Sequence, residues 1–512
     1  MSLPRWAKWM ALAGLVSGAT LLAACLWLLR PAHIKAMAER ELSRHLNLDV
    51  TIDTIAVTLL PRPEVSGTAL TFRLPDRPDL PPFIQIDRFE MNVGLLSMVR
   101  KHVRTVRADG LHIAVPPGKS RQGLKPDDDA KTGVMKDVII DRFITRDAEL
   151  KFVPGNPKDD ALVFAIPQLE VDSIGFDLEM PFTATVINPT PRGTVNATGR
   201  IGPWQRDDAT ALPLSGDFTF DDADLSTING IAGRVDATGR FAGILTSISV
   251  SGDAKVRDFS LDLGGHPAQL TSSFDTLVDG TDGTTILRRV DAVLGRTTMR
   301  VTGAIENRPG PGRHDVELDV AINDGRIEDL LSLVLDTPKP VMLGDVTLAT
   351  RMKLPPGAAR VRNRIGVTGT FGLEDARFTN AQVQNKLQDL SRRSQGKDED
   401  EAIGRVLSDL HGRLNLAKGV AHLSQLTFQV PGARIALDGG YDLGNGALDF
   451  KGTLRMDATV SQAVGGFKSI FIKPFDGLFR KNGAGAVLPI KIGGTRDAPK
   501  FGLDVGKVIK RK

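Results

Sequence analysis

Val316-Glu317-Leu318-Asp319-Val320-Ala321-Ile322 puts an apolar residue at every second position and a charged or small one between. Successive side chains of a strand point to opposite faces, so this segment has one greasy face and one wet face. The alternation recurs along the chain. Ile55, Val57 and Leu59 stand against Ala56 and Thr58, and Leu70, Phe72 and Leu74 against Thr71 and Arg73. Leu426, Phe428 and Val430 stand against Thr427 and Gln429, and Leu448 and Phe450 against Asp449 and Lys451. Turn-type pairs punctuate the runs: Asp109-Gly110, Asp279-Gly280, Asp282-Gly283, Asp324-Gly325 and Asn445-Gly446. The pattern predicts a mainly β body. Roughly twenty to twenty-five strands, about 4.8 Å apart, would make a sheet roughly 100 Å long.

Weak internal repeats support similar, stacked hairpins. Val195-Asn196-Ala197-Thr198-Gly199-Arg200-Ile201 recurs as Val235-Asp236-Ala237-Thr238-Gly239-Arg240-Phe241. The triplet hydrophobe-Ser/Thr-Gly opens Leu214-Ser215-Gly216, Val250-Ser251-Gly252, Val301-Thr302-Gly303 and Val367-Thr368-Gly369. Chance reuse of Thr-Gly turns is the competing reading of the same triplets. Helices are expected over residues 33–46, with Ile34, Met37, Ala38, Leu42 and Leu46 on one stripe, and over 327–335, 379–390 and 399–410. The polar stretches 120–131 and 391–398 read as solvated loops.

Residues 9–29 form an uncharged apolar run with no counterpart later in the chain. At 1.5 Å rise per residue such a helix reaches about 30 Å, the thickness of a bilayer core. A retained spanning helix is the expectation. Leu22-Ala23-Ala24-Cys25 also has the look of a lipidation site, and a cleaved signal is a third reading. All three tether or export the body.

Composition narrows the function. The chain has 512 residues, ample for a large core, and a net charge of +4, too small to point to nucleic acid. One cysteine leaves no intrachain disulfide, and 5% aromatic residues argue against a carbohydrate- or base-stacking surface. His33, His45, His102, His112, His266, His314, His411 and His422 form no metal-ligand spacing. No nucleophile elbow, phosphate loop or dinucleotide fingerprint occurs. Asp279-Gly280-Thr281-Asp282-Gly283 lacks the later acids of a calcium loop and reads as a turn. The expectation is therefore no enzyme, no catalytic or metal residues, no cofactor and no nucleotide. One further segment is amphipathic: Phe467, Ile470, Phe471, Phe475, Leu478 and Phe479 make a helical stripe with Lys468, Lys473, Arg480 and Lys481 around it. It suits either a membrane-interface helix or a helix packed on the sheet.

Two stretches resemble the AsmA-like family of bacterial envelope proteins. The first runs from Ile34-Lys35 through Leu46 and Val50-Thr51-Ile52-Asp53-Thr54-Ile55 to Ile84-Gln85-Ile86-Asp87, Gly94-Leu95-Leu96 and Val106-Arg107-Ala108-Asp109-Gly110-Leu111-His112-Ile113. The second includes Gly325-Arg326-Ile327-Glu328-Asp329-Leu330-Leu331, Leu354-Pro355-Pro356-Gly357 and Gly369-Thr370-Phe371-Gly372-Leu373-Glu374-Asp375-Ala376-Arg377-Phe378. It continues with Leu437-Asp438-Gly439-Gly440-Tyr441-Asp442-Leu443, Leu488-Pro489-Ile490-Lys491-Ile492-Gly493-Gly494-Thr495 and Pro499-Lys500-Phe501.

The resemblance implies a long, curved antiparallel sheet forming an open apolar groove, with few short helices and one N-terminal transmembrane helix. It divides the chain into a cytoplasmic tail (1–8), the anchor (9–29), an N-terminal helix and β-groove (30–320), a C-terminal β region with helical insertions (321–506) and a basic tail (507–512). It places the protein in the bacterial inner membrane with its bulk in the periplasm. Lipid acyl chains, above all those of phospholipids, would lie in the groove for transport and outer-membrane homeostasis. Candidate groove residues are Leu70, Phe72, Val316, Leu318, Val320, Leu426, Phe428, Leu437, Leu448 and Phe450. The alternative is a biogenesis factor that assists assembly or targeting of outer-membrane proteins, with other envelope proteins as partners. Alternation alone is equally compatible with a closed sandwich whose faces bury each other.

Overall fold

The structure is a computed structural model. It describes residues 31–503 apart from 47, 59–62, 75–80, 93–101, 116–138, 154–160, 176, 204–210, 229, 263–264, 309–313, 358, 396, 398–405, 458–479, 482–483 and 496–497. The expected anchor, the loop at 120–131, the stripe from Phe467 to Phe479 and the basic tail lie outside the described residues. Among those described, no helix is long and apolar enough to cross a membrane.

The chain is mainly β. In order, the strands are β1 (Asp49–Thr51), β2 (Thr54–Thr58), β3 (Glu64–Arg73), β4 (Ile84–Asn92), β5 (His102–Val115), β6 (Ile139–Phe152), β7 (Leu162–Ile174), β8 (Met180–Pro189), β9 (Arg192–Ile201), β10 (Pro213–Asp224), β11 (Ile231–Ile244) and β12 (Ser247–Leu261). They continue with β13 (Ala268–Val278), β14 (Thr285–Leu294), β15 (Thr297–Asn307), β16 (His314–Arg326), β17 (Met342–Leu354), β18 (Gly366–Phe378), β19 (Ser408–Ala417), β20 (Val420–Val430), β21 (Ala433–Asp442), β22 (Leu448–Met456), β23 (Arg480–Lys481), β24 (Ala484–Gly494) and β25 (Pro499–Leu503). The helices are α1 (Pro31–Leu46), α2 (Ile327–Ser332), α3 (Val361–Arg364) and α4 (Ala381–Ser394). Two compact units result: residues 1–221 with 240–248, and residues 222–239 with 249–512. Residues 320 and 321, where the sequence reading divides the body, are consecutive in β16.

In the first unit β1 and β2 both pair with β3, and pairing then proceeds from β3 to β9 between chain neighbours. One pair departs from the antiparallel expectation. β5 and β6 run parallel, His102 opposite Ile139 and Val115 opposite Phe152, because a long connection rather than a hairpin joins them. α1 guards the edge of this sheet. Glu39 Oε1 accepts the Ile52 N–H at 2.9 Å and Ser43 Oγ accepts the Val50 N–H at 3.0 Å, so backbone donors of β1 and of the residue after it meet side chains of α1. Ile34 and Ala38 pack on Ile52, Ile55 and Phe89, whereas Met37, expected on the same stripe, is 60% exposed.

In the second unit β13 to β22 pair antiparallel with their chain neighbours, then β22 pairs with β24 and β24 with β25. α2 and α4 pack at the strand ends near Arg326, Phe378 and Ala433. The helix expected over 399–410 is corrected where it is described: Ser408, Asp409 and Leu410 open β19, where Leu410, Leu414 and Leu416 follow the two-residue period of their neighbours. The loop expected at 391–398 is also corrected. α4 runs on through Ser394, and Ser391 and Ser394 are fully buried. Ser391 Oγ donates to the Pro431 carbonyl at 2.7 Å, which is why a polar stretch sits inside.

Asp109-Gly110 and Asp324-Gly325 are not turns but lie within β5 and β16. Gly110 belongs to a line of kinks: Ala69 (φ 51°) in β3, Gly110 (φ 66°) in β5 and Asp147 (φ 54°) in β6 all adopt the left-handed region. Such a bulge residue uses one position without advancing the alternation. Apolar-facing positions in β3 are accordingly Val65 and Gly67 before the kink but Leu70 and Phe72 after it. The second unit repeats the device at Asp375 (φ 51°) and Gln425 (φ 51°). There the backbone N–H of Gln425 donates to Asp438 Oδ1 at 2.9 Å, and that of Asp375 to Asp409 Oδ1 at 3.4 Å. The repeated Ser/Thr-Gly triplets likewise sit inside strands β10, β12, β15 and β18 rather than at turns.

Candidate functional site

Register assigns each side chain of the second unit to a face. Val316, Leu318, Val320 and Ile322 of β16 stand opposite Leu354, Met352, Thr350 and Leu348 of β17. Met352 and Leu348 then meet Val367 and Phe371, which meet Leu416 and Gly412. The row continues through Leu410 and Phe428, Leu426 and Leu437, and Phe450 and Ile492. One face from β16 to β24 is thus mainly apolar, with Thr350 and a few glycines among its positions. Every groove candidate in this unit lies on it: Val316, Leu318, Val320, Leu426, Phe428, Leu437, Leu448 and Phe450. In the first unit Leu70 and Phe72 share a face with Ile86 and Ile84.

Burial on this face is lateral. Leu426, Leu437 and Phe450 are buried by Phe371, Leu410, Leu423, Ile435, Tyr441, Leu448, Ile490 and Ile492, all from neighbouring strands of the same face. Glycines seat the aromatic rings. A Cβ on Gly412 would stand 3.0 Å from Phe371 Cζ, and one on Gly439 only 2.7 Å from Phe450 Cδ1. No spacing rule within one strand reveals these cross-strand seats, so sequence reasoning missed them.

The face has two margins. At one, Ile322, Val346, Leu373 and Ala376 are buried, with Ile327 and Leu330 of α2 against them. Val430 and Ala433 are buried there too, with Val406 and with Leu390 of α4. Gln384 ties α4 down, accepting the Phe378 N–H at 3.1 Å and donating to the Val406 carbonyl at 2.9 Å. Glu328 of α2, only 8% exposed, pairs with Arg296 and Arg326 and accepts the Gly344 N–H at 3.3 Å. At the other margin Val316, Leu318, Val320, Met352, Val367, Leu414, Leu416 and Leu423 remain only half-buried. Phe72 and Phe428 are half-buried as well, and Phe450 is buried.

The opposite face carries ion pairs. Arg351 binds Asp319 through both guanidinium arms, at 2.8 and 3.1 Å, with Lys353 3.0 Å from Glu317 beside them. The hydrogen bond from Arg351 holds the Asp319 carboxyl below the usual carboxylate range, against desolvation and with help from the Arg351 and Lys353 charges; the same pairing raises Arg351. Arg300 acts likewise on Asp291, aided by Arg289. In the first unit Asp172 and Glu170 raise Arg142. These residues are solvated, so the pairs order the polar face more than they stabilise it. Among the described residues no group of three or more His, Cys, Asp or Glu side chains is placed to hold a metal ion.

No protein-family model matches this chain, and no curated protein matches its sequence.

Proposed function

We propose that this chain is a membrane-tethered envelope protein of the AsmA-like type, anchored in the bacterial inner membrane through residues 9–29, whose apolar sheet face holds lipid acyl chains. The observation that supports this reading is the half-buried apolar margin from Val316 to Leu423, set beside a helix-covered margin of the same sheet. Each methylene moved from water onto such a surface gains about 0.8 kcal/mol, so an acyl chain of a phospholipid is a fitting occupant. Its headgroup stays in solvent at the margin. The chemistry asked of the protein is burial alone, with no nucleophile, metal or nucleotide. Phospholipid transport and outer-membrane homeostasis follow as the role.

Extraction of the full chain without stripping lipid, followed by mass spectrometry of what accompanies it, tests the reading. Phospholipid is expected with the wild type and is reduced several-fold by Leu318→Asp, while Asp319→Ala, on the opposite face, retains it. Equal lipid in all three would count against the proposal.

A second reading, assistance to outer-membrane protein assembly, draws on the outer edge of β25, which pairs only with β24 among the described residues. A client strand would add there through backbone hydrogen bonds. Photo-crosslinks from residues 499–503 to unfolded barrel proteins, rather than to phospholipid, would favour it.

A further inference from the structure

The polar face of the second unit carries its own cleft, of about 410 Å³, crossing strands β16 to β20. Its polar lining comes from Thr347, Thr370, His411, Arg413 and Gln425 around Gly372, and Ile322, Leu348, Phe371 and Gly412 also contribute to its walls. The register explains why these groups converge. Gly372 lies opposite Thr347 on one side and His411 on the other, and Thr370 lies opposite Arg413. A Cβ on Gly372 would stand 2.7 Å from Thr347 Oγ1 and 2.9 Å from His411 Nδ1, so those two polar atoms reach toward one point over bare backbone. Gln425 enters from the kink in β20, where its left-handed backbone turns the strand.

The charge of the lining is one-sided. Arg413 is its only Lys or Arg, and no carboxylate lines it. Nearby on this face Arg351 is paired with Asp319 and Lys353 with Glu317. Arg413 has no ion pair among the described residues. A guanidinium offers paired donors that match two oxygens of a phosphoryl group, and hydroxyl, amide and imidazole groups can complete its coordination. We propose that this cleft binds a phosphoryl oxyanion on a small polar body, with Arg413 as the principal ligand and Thr347, Thr370 and His411 as secondary ones. The chemistry is shared by free phosphate and by a phosphodiester headgroup. The proposed ligands lie on the face opposite the acyl-chain surface in the register, and the proposal does not depend on that reading.

The test is a titration of the full chain in detergent, followed by phosphorus NMR, with two tail-free probes: inorganic phosphate and glycerophosphoglycerol. Saturable binding of at least one probe is expected, and the tighter probe identifies the source of the group. Arg413→Gln is expected to weaken binding at least tenfold, and Arg351→Gln, on the same face, by less than twofold. Gly372→Val fills the floor and is expected to abolish binding; Arg413→Gln, an exposed change, keeps the test decisive if that variant misfolds. No saturable binding of either probe, equal binding by Arg413→Gln and wild type, or an equal loss in Arg351→Gln would overturn the proposal.

Discussion

The two margins of the apolar face in the second unit use the same residue types and end in different surroundings. Ile322 and Leu318 are four residues apart on one face of β16, yet Ile322 is 2% exposed and Leu318 is half-buried. The difference is not hydrophobicity. It is made by α2 and α4, which pack only at one set of strand ends and are held there by Glu328 and Gln384. At the Ile322 end the docked α2 and α4 complete a core; at the Leu318 end only the four-residue α3 follows β17, and Leu318 and Met352 stay half-buried.

The largest expected effect separates the margins directly. Ile322→Ala leaves a cavity and is expected to cost about 3 kcal/mol in chemical denaturation, against about 1 kcal/mol for Leu318→Ala. Equal losses would mean that the second margin is as filled as the first. Next comes the clasp on α2. Glu328→Gln removes the charge that pairs with Arg296 and Arg326 from a site only 8% exposed, and is expected to cost about 2 kcal/mol. Protease sensitivity of residues 327–335 should rise with it; unchanged stability would show that packing alone holds the helix.

How far was this legible in the sequence? Period-two alternation found the strands and put all eight groove candidates of the second unit on one face. It did not reveal that the alternation shifts by one residue at each kink, because a left-handed Asp or Gln looks like any polar strand residue. Asp109-Gly110 and Asp324-Gly325 carry turn chemistry but serve within strands, the first at such a kink. Ser408-Asp409-Leu410 continues the preceding helical pattern in the sequence, since a three-residue strand start has no periodicity of its own. The split into two margins was out of reach, because it depends on where helices dock, not on what the strands contain. Ser391 illustrates this: its burial is set by the Pro431 carbonyl, forty residues away in the chain.

The kinks give a smaller effect of opposite sign. Asp375 and Gln425 hold φ near 51°, a conformation glycine adopts without strain. Gln425→Gly keeps the backbone N–H that Asp438 accepts, and is expected to stabilise the unit by about 0.5 kcal/mol. A loss of stability would mean that the Gln425 side chain is structural.

The smallest effect concerns the polar face. Asp319 has a folded pKa below its unfolded value, so its contribution to stability is present above about pH 4 and is lost as pH falls through the lowered folded value. The pair is exposed, so only a slight fall in Tm between pH 6 and pH 3 should be traceable to it. Asp319→Asn should remove that part of the fall; an identical profile in the variant would show that the pair contributes nothing.

Acyl chains against the half-buried margin are the centre of the account, and a photo-reactive side chain can look for them there. Installed in turn at Leu318, Met352 and Leu414 on the apolar face, and at Asp319, Thr368 and Asn415 on the polar face, it should yield phospholipid adducts in cells from the first three positions and not from the second three. Adducts at equal yield from both faces, or none from Leu318, Met352 and Leu414, would contradict the account.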